Sequence, residues 1–298
     1  LYPGMKPYFT TSVFAAVDPE YGPNICYHRA VPIGKKKMVA RVCDRHTKAY
    51  LDRAGDLKVA IAMGLHPSVC IAAATSVEIG KNEYEIANYL HPLKVAHVNG
   101  VPVPSTAEVV ITGTMTQELH EEGPFVDLTG TYDVKRMQPV IEVDKVYHRD
   151  GPIQDLIVPA LPEHALLMGM PREPAIFNAV SRVAKCRDVF LPVGGCSWLH
   201  GFVSIKKRKD AEVPKVIDAA FGAHSSMKHL FVVDDDIDIY NSREVEWALA
   251  TRCQSVKVFR GRGSSLDPSA DIKSRSTNKV AFDCTIPEKA DRKDFVRA

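Results

Sequence analysis

The chain has 298 residues, 45% hydrophobic and 25% charged, an ordinary composition for a soluble globular protein of two domains that each bury a core. Lysine plus arginine exceed aspartate plus glutamate by only two, 38 against 36, so no global positive charge points to nucleic acid as a partner. No apolar run approaches the roughly 20 residues that a membrane helix needs, and no signal peptide opens the chain, so we expect neither a membrane span nor secretion.

The cysteines indicate a reducing compartment. Seven of them are widely spaced, and none forms a Cys-x-x-Cys pair. An odd number at such spacing argues against a disulfide framework and against a thiolate zinc site. We therefore expect a cytoplasmic protein with free thiols.

The first half of the chain predicts a β-rich domain. Short runs of β-favouring residues, separated by glycine and proline, predict strands at 10–17, 37–42, 57–63, 69–74, 107–112 and 140–147. Helical patterns are limited to 47–54 and 83–90. We expect a β-barrel-like domain over residues 1–160.

The second half alternates between the two kinds of element. Its pattern predicts helices at 162–167, 173–183, 213–222 and 244–253, and strands at 189–193, 230–233 and 255–258. Such alternation is typical of an α/β layer domain with a parallel or mixed sheet. The fold class predicted for the whole chain is α/β (α+β), with this domain over residues 161–298.

A polar segment follows the strand predicted at 230–233. Its three consecutive carboxylates, Asp234, Asp235 and Asp236, could hold magnesium, because hard cations prefer oxygen ligands. They could instead be turn and cap aspartates that meet arginines of the same domain, and we favour this interpretation. Further on, Asn241 and Glu244 fit a capping box at the start of the last helix.

The pattern that points most directly to chemistry is split between two segments. One runs from Asn24 to Arg29; the other, with the sequence EGPFVD, runs from Glu122 to Asp127 and offers two carboxylates. The glycine and proline of this second segment predict an irregular loop that can aim both carboxylates into one cavity. Desolvation and mutual repulsion there would favour a proton donor, and a nearby arginine would clamp a substrate carboxylate. A surface loop with two solvated acids is the alternative.

Several segments, in this order along the chain, resemble the UbiD family of decarboxylases, which includes polyprenyl-hydroxybenzoate and ferulic acid decarboxylases and uses prenylated FMN. The matching segments are Asn24 to Arg29, Glu122 to Gly130, 232–238 (VVDDDID), 247–252 (WALATR), 266–268 (LDP) and 283–285 (DCT). The resemblance runs from about residue 8 to 286. It implies an FMN-binding split β-barrel domain followed by a C-terminal α/β domain.

The resemblance also implies a cofactor site. Asn24 and Glu83 would ligate manganese or magnesium at the flavin phosphate, and potassium could join them. The third ligand would be His46 or would be lost, because Arg45 falls where one branch of the family has histidine. The residues that would line the prenylated flavin are Asn24, Tyr27, His28, Arg29, Arg41, Val42, Cys43, His46 and Thr47, with Lys206 or Lys207 at its phosphate. Carboxylate, amide and phosphate oxygens suit such a cation.

The implied activity is non-oxidative decarboxylation of an α,β-unsaturated or aromatic acid on the modified flavin. Asp127 would be the proton donor, Arg29 the clamp for the substrate carboxylate, and Glu122 the residue that tunes Arg29. Val126 stands where the family has glycine, which could narrow the cavity. The family also carries a further α/β region ahead of the asparagine segment, where this sequence has 23 residues, so we expect that region to be lost or to precede Leu1.

The substrate expectation comes from residues 167–174 and 263–268, which look most like the archaeal branch of the family. That branch implies conversion of trans-anhydromevalonate 5-phosphate into isopentenyl phosphate; a hydroxybenzoate or related aromatic acid is the alternative. A phosphorylated substrate needs further cations, and Lys35 to Lys37, Arg136 and His97 are available. A flavin prenyltransferase would supply the cofactor, and the resemblance suggests a homo-oligomer assembled through the C-terminal domain.

Two hypotheses from other classes stay open at this point. A flavin-binding redox carrier would have no need of Glu122 and Asp127, and a non-catalytic carboxylase subunit would bind no flavin. The presence of Arg29 together with both carboxylates argues against each.

Overall fold

The computed structural model of the protein describes residues 2–271 and 273–295. The chain divides into two compact units, Leu1–Glu163 and His164–Ala298, and strands and helices are mixed in each. The predicted mixed α/β class is confirmed. Across the described residues, no helix combines the length and the apolar character of a membrane-spanning segment.

The first unit is built around one antiparallel sheet. Its strands are β1 (Val13–Asp18), β2 (Gly22–Tyr27), β3 (Ala30–Pro32), β4 (Lys37–Ala40), β5 (Leu57–Met63), β6 (Val95–Val98), β7 (Val101–Pro104), β8 (Val109–Glu122), β9 (Phe125–Val126), β10 (Tyr132–Asp133) and β11 (Arg136–His148). Its helices are α1 (His46–Ala54), α2 (Pro67–Ala74) and α3 (Glu83–Leu90). The sheet order is β2-β1-β5-β8-β11-β4-β3, and β6-β7 and β9-β10 form two separate pairs.

This sheet has an apolar core on each face, because successive side chains of a strand point to opposite sides. From β1, Phe14 joins the core that includes Tyr50 of α1, whereas Val13 joins the core that includes Val69 of α2 and Tyr84 of α3. The helices therefore cover both faces of the sheet. The N-terminal turn of α1 and the start of α3 consequently lie beside β2.

Most of the elements predicted in this unit are confirmed, but the strand predicted at 69–74 is wrong. The segment belongs to the helix Pro67–Ala74. Its run of Val, Cys and Ile favours a strand locally, yet the His66 side chain accepts a hydrogen bond from the Ser68 amide as an N-cap, and proline at the first helical position fits a helix start. The alanines that follow have the highest helix propensity.

Other strands were missed or are longer than predicted. The strands predicted at 107–112 and 140–147 extend to Val109–Glu122 and Arg136–His148. Residues 117–119 of β8 are all exposed, so this part of the strand lacks the alternation of apolar and polar residues by which a strand is predicted. β2, which holds the asparagine segment, and β3 were not predicted as strands.

The second unit is an α/β layer. Its strands are β12 (Cys186–Phe190), β13 (His200–Ile205), β14 (His229–Asp234), β15 (Ser255–Arg262) and β16 (Ser276–Cys284). Its helices are α5 (Glu173–Ser181), α6 (Val213–Ala223) and α7 (Ser242–Arg252), with short 3-10 turns at Met170–Arg172, Val193–Gly195, Asp210–Glu212 and Arg292–Phe295; α4 (Pro162–Gly169) begins at the division between the units. The sheet order is β12-β13-β14-β16-β15, parallel at its centre and antiparallel at both edges.

One face of this sheet packs on α5 and α6, and α7 packs on the other. Ile176 and Val216 lie with Val232 in the first core, whereas Val245 and Val233 lie in the second. The predicted alternation of helices and strands is confirmed, although β13 and β16 were not predicted. Asn241 caps α7 as expected, and the carboxylate of Glu244 accepts from the amide of Asp238.

The acidic triplet in the second unit pairs with arginines, as the favoured interpretation predicts. The guanidinium of Arg252 binds both oxygens of Asp236, at 2.8 and 2.7 Å. Arg187 lies 3.2 Å from Asp235, and Arg292 lies 3.8 Å from Asp234. The magnesium alternative for this triplet is therefore not supported by its contacts.

Candidate functional site

Strand β2 and the residues just after it bring most of the predicted site residues together within the first unit. Alternation along β2 places Asn24 and Cys26 on one face, toward the N-terminal turn of α1. Tyr27 points to the opposite face, where its ring packs against the core that includes Val69. The structure thus separates Tyr27 from the other residues that were predicted to line a flavin.

The predicted metal ligands form the first group. The Asn24 amide donates to Glu83 Oε1 at 2.7 Å, and His46 Nδ1 lies 3.7 Å from the same oxygen and 3.3 Å from Asn24 Nδ2. The Ile25 amide donates to the other oxygen of Glu83 at 3.2 Å. Arg45 instead donates to the Ser76 hydroxyl at 2.6 Å, so His46, and not Arg45, lies beside Asn24 and Glu83.

This group suits a divalent cation. Glu83 is 2% exposed, and burial raises the pKa of its carboxyl to about 6. A carboxylate, an imidazole and an amide are a reasonable donor set for manganese or magnesium. The amide nitrogen of Asn24 now faces Glu83, so coordination requires the amide to turn its oxygen toward the cation. Among the residues that the structure describes, no cluster of three or more His, Cys, Asp or Glu side chains is arranged for a metal, and this group includes an amide instead.

A second group lies next to the first on the same face of β2. The side chains of Cys26, His28 and Thr47 contact one another, at 3.2 Å from Cys26 Sγ to His28 Nε2, 3.1 Å from Cys26 Sγ to Thr47 Oγ1, and 3.0 Å from His28 Nε2 to Thr47 Oγ1. Burial lowers the pKa of His28 to about 4, so its imidazole is neutral at physiological pH. The group therefore offers a compact polar surface without charge.

The segment from Arg41 to Cys43 follows β4. The Val42 amide donates to Gln138 Oε1 at 2.7 Å, and Arg41 Nη1 donates to the Val42 carbonyl at 3.0 Å. The Cys43 side chain is exposed. All seven cysteines are free thiols.

The third group centres on Arg29, which follows β2. Its Nε and Nη2 bind the two oxygens of Glu122 at 2.9 and 3.1 Å, its Nη1 binds Asp127 Oδ2 at 2.6 Å, and Nη2 also binds Asp133 Oδ2 at 2.8 Å. The guanidinium lies over the Phe125 ring, 4.2 Å from its centre. Burial alone would lower the pKa of Arg29, but the carboxylates raise it above its ordinary value.

The local backbone explains how three carboxylates reach one arginine. Glu122 ends β8, and the chain then turns at Gly123, whose φ of 106° is a conformation that favours glycine. The short strands β9 and β10 pair so that Asp133 lies opposite Phe125. The predicted irregular loop is confirmed in this turn, and the surface-loop alternative is wrong because Glu122 is fully buried.

The carboxylates differ in how they are held. Glu122 also accepts a hydrogen bond from the Tyr8 hydroxyl at 2.8 Å, and that hydroxyl accepts from the Gly123 amide at 2.9 Å. Burial first, and then Glu122, raise the pKa of Tyr8 above its ordinary value, so this hydroxyl stays a donor. Asp127 is 14% exposed, with its other oxygen bound by the Leu128 amide at 2.7 Å.

Asp133 connects Arg29 to a second arginine. Both oxygens of Asp133 accept from Arg136, at 2.6 and 2.7 Å. Burial would raise the pKa of Asp133, but Arg136 and Arg29 hold it below its ordinary value. Arg136, which the sequence offered as a cation for a substrate phosphate, therefore already binds Asp133 with both of its terminal nitrogens.

Two members of this group, Tyr8 and Asp133, were not predicted as site residues. No motif marks Tyr8, which lies far from the loop in sequence. Asp133 and Arg136 carried a weak signal, because they are opposite charges three residues apart just after the acidic loop.

The remaining predicted cations lie elsewhere. Lys206 is exposed in the second unit, beside Arg182, Lys185 and Arg208. The Lys207 side chain is 4% exposed and bonds to Asp210 and to the Ile286 carbonyl. In the first unit, Lys37 pairs with the exposed Glu118 at 2.6 Å, and His97 is exposed on β6.

Comparison with known proteins covers both units. Residues 4–162 match the family model described as the 3-octaprenyl-4-hydroxybenzoate carboxy-lyase Rift-related domain (UbiD), and residues 165–284 match the C-terminal domain of the same carboxy-lyase.

Among curated relatives, the anhydromevalonate phosphate decarboxylase of Methanocaldococcus jannaschii is 40% identical over 98% of this chain and 72% of its own length. That of Methanothermobacter thermautotrophicus is 42% identical over 94% of this chain and 70% of its own length.

Among solved structures, the UbiD-class enzyme HmfF from Pelotomaculum thermopropionicum in complex with FMN is similar with a TM-score of 0.93 and 35% identity, over 98% of this chain and 69% of that one. An evolved dimeric form of HmfF in complex with prFMN has a TM-score of 0.86 and 33% identity, over 98% and 69%.

Proposed function

The chain belongs to the UbiD family of carboxy-lyases and is a decarboxylase of that family, and from this premise we propose that its substrate is trans-anhydromevalonate 5-phosphate. The products are isopentenyl phosphate and carbon dioxide. The observation that supports decarboxylation as the reaction is the Arg29 group, in which one buried guanidinium holds Glu122, Asp127 and Asp133. Neither a redox carrier nor a non-catalytic subunit has a use for that arrangement.

We propose that the first unit binds prenylated FMN as a split β-barrel. The polar face of β2 supports this, since Asn24, Cys26 and His28 line one continuous surface beside α1. When bound, the prenylated flavin supplies the electron sink for loss of carbon dioxide. Asn24, Glu83 and His46 would hold manganese or magnesium at its phosphate.

Asp127 is the best-placed proton donor. Glu122 is fully buried, and both of its oxygens bind Arg29, so it has no path to a substrate. Asp127 is partly exposed and is bound to Arg29 through a single oxygen. A general acid must reach the carbon that receives the proton, and of these two carboxyl groups Asp127 alone meets that condition.

Arg29 offers fewer free nitrogens to a substrate carboxylate than the sequence suggests. Its two-pronged edge, Nε with Nη2, is bound to Glu122, so it does not offer both prongs to a substrate carboxylate. The Nη1 edge remains, and it now holds Asp127. We propose that the substrate carboxylate takes this position while Asp127 turns toward the reacting carbon.

The choice of substrate rests on the relatives. Five curated relatives, 38% to 42% identical, are named anhydromevalonate phosphate decarboxylases. The aromatic alternative is supported by the structural likeness to a 3,4-dihydroxybenzoic acid decarboxylase from Enterobacter cloacae, at 27% identity and a TM-score of 0.89.

The test is release of carbon dioxide by protein co-expressed with a flavin prenyltransferase and supplied with manganese. We expect release from trans-anhydromevalonate 5-phosphate and little from 4-hydroxybenzoate or 3,4-dihydroxybenzoate. The opposite preference, by a protein that holds its flavin, would transfer the assignment to aromatic acids. Reversible reduction by a nicotinamide without carbon dioxide release would instead support a redox carrier.

We also propose that the protein acts as a homo-oligomer through its second unit. Native mass measurement tests this point, and a single monomer peak would overturn it.

A further inference from the structure

We infer that Asp133 and Arg136 form a charge-balancing pair that positions Arg29 and determines whether Asp127 keeps its proton. This inference rests on the proposed function, in which Asp127 delivers a proton to the substrate. It assigns a role to two residues that would otherwise be a structural ion pair at the base of the loop.

The geometry forms a chain of alternating charges. Glu122 binds Arg29, Arg29 binds Asp133 at 2.8 Å, and Asp133 binds the fork of Arg136 at 2.6 and 2.7 Å. Arg136 also donates to the Val134 carbonyl at 2.9 Å, which fixes its own position. Glu122 and Asp133 therefore share Nη2 of Arg29, which fixes the guanidinium with its Nη1 directed at Asp127.

The charges of this chain cancel. Glu122 and Asp133 bring two negative charges, and Arg29 and Arg136 bring two positive charges. Asp127 is the fifth member, and its negative charge has no positive partner left over. With all five side chains ionised the set carries one negative charge in excess, and like charges in a buried site disfavour full ionisation.

The ionisable groups in contact with this network are few in the first unit. Arg29 touches Asp127 directly, Glu122 and Asp133 share that arginine, and Tyr8 donates to Glu122. Removing one charge at Asp133 or Arg136 therefore changes the electrostatic surroundings of Asp127 by one unit. Asp133 is separated from Asp127 by Arg29, and Arg136 is separated from it by Asp133 and Arg29.

The two removals have opposite signs. Asp133→Asn leaves Asp127 with less negative surroundings, so it loses its proton at lower pH. Arg136→Gln leaves it with more negative surroundings, so it keeps its proton to higher pH. Each shift should be about one pH unit, the size expected for unit charges several ångströms apart at an effective dielectric constant of about 20.

A neighbouring ion pair supplies matched controls. Lys135 and Glu121 lie one residue away from Arg136 and Glu122, pair at 2.9 Å, and are 55% and 52% exposed. Lys135→Gln and Glu121→Gln remove the same charges from nearly the same place in sequence, but no contact joins them to Arg29. Solvent screening makes their effect on Asp127 small.

The experiment has two readouts. The first is the high-pH limb of carbon dioxide release by the loaded enzyme, because a donor must be protonated and activity falls as it titrates. The second is a carbon-13 NMR titration of side-chain carboxyls in cofactor-free protein labelled at aspartate, with the Asp127 signal assigned by its loss in Asp127→Asn.

We expect Asp133→Asn to move both midpoints down and Arg136→Gln to move both up. The double variant should return them close to the parent values, since it removes a neutral pair. Midpoints that move in the same direction in both single variants, or that move equally in the Lys135 and Glu121 controls, would overturn the inference. If Asp133→Asn does not fold, the remaining comparison is between Arg136→Gln and Lys135→Gln. Midpoints that move up in the first and not in the second support the inference, and equal midpoints overturn it.

The two readouts also separate this inference from the proposed function. Absence of carbon dioxide release from the parent protein would contradict the proposed function, while the NMR titration would still test the charge pair. Normal release with an unmoved Asp127 titration would contradict the pair alone.

Discussion

Each unit of the molecule contains a buried arginine surrounded by carboxylates, and the two differ in their balance of charge. In the second unit, three aspartates meet three arginines: Arg252 binds Asp236, Arg187 binds Asp235, and Arg292 lies near Asp234. In the first unit, Glu122, Asp127 and Asp133 meet Arg29 and Arg136. The second set is balanced in charge, whereas the first has one carboxylate in excess, and it is in this first set that we propose a proton donor.

The largest effect predicted from this comparison is that of replacing Arg29. Arg29→Met leaves three carboxylates around an apolar side chain, so we expect decarboxylation to fall by at least about 1,000-fold. It should also lower the free energy of unfolding by about 3 to 5 kcal/mol, the usual cost of breaking a buried ion pair. Carbon dioxide release and urea unfolding measure the two effects.

The control is Arg53→Met. Arg53 also bridges two acids, Asp18 and Glu20, but its side chain is 45% exposed. Exposed pairs contribute about 1 kcal/mol or less. A loss of activity in this variant comparable to that of Arg29→Met would show that the Arg29 group matters no more for activity than an exposed ion pair does.

The second prediction concerns Arg252, whose side chain is 1% exposed. Arg252→Met should lower the free energy of unfolding by about 3 to 5 kcal/mol. Turnover per folded molecule should stay within about twofold of the parent. Active-site titration of the flavin against carbon dioxide release measures this, and a large fall in turnover of the folded fraction would erase the distinction between the two clusters.

The third prediction is a pH dependence of stability at His28. Burial lowers the pKa of its imidazole from 6.5 to about 4. Between these two pH values His28 is protonated in the unfolded chain and neutral in the folded protein. The contribution is fully present above pH 6.5 and is lost as pH falls toward 4. Between pH 7 and pH 4.5 it amounts to about 2 to 3 kcal/mol.

Urea unfolding at both pH values, compared between the parent and His28→Gln, isolates this effect. The variant should lose less stability on acidification than the parent does. His97→Gln removes an exposed histidine and should behave as the parent. Equal acid sensitivity in the parent and in His28→Gln would show that the imidazole is not held neutral.

The smallest predicted effect belongs to Tyr8. Tyr8→Phe removes the hydroxyl that donates to Glu122 and accepts from Gly123, but keeps the ring packed edge-on against Phe125 at 4.9 Å. We expect a loss of about 1 to 3 kcal/mol in stability, because a buried carboxylate loses one donor. Turnover should fall by roughly tenfold. A variant with unchanged stability and turnover would show that this hydroxyl does not hold Glu122.

Much of the fold could be predicted from the sequence, for reasons that differ from one element to the next. Strand β5 was predictable from its nearly continuous apolar run, and helix α3 from the spacing of its apolar residues. The pairing of Asp236 with an arginine followed from helix and turn chemistry. The helix at Pro67–Ala74 was mistaken for a strand, since its local β-favouring residues are overridden by a cap and a proline.

The site residues were harder to predict from the sequence than the fold. Arg29, Glu122 and Asp127 were found because they belong to recognisable segments. Tyr8 and Asp133 were not, because contacts between residues far apart in the chain, such as the 2.8 Å hydrogen bond from Tyr8 to Glu122, leave no local pattern. The orientation of the Arg29 fork toward Glu122 likewise depends on the turn at Gly123 and cannot be inferred from spacing.

The central claim is that Asp127 donates the proton in the first unit. Its most direct test is carbon dioxide release from trans-anhydromevalonate 5-phosphate by Asp127→Asn, loaded with prenylated flavin and manganese, beside the exposed-residue control Asp56→Asn. The account predicts a loss of at least about 100-fold in Asp127→Asn and parent-like release in the control. Full release by a flavin-loaded Asp127→Asn protein would contradict it.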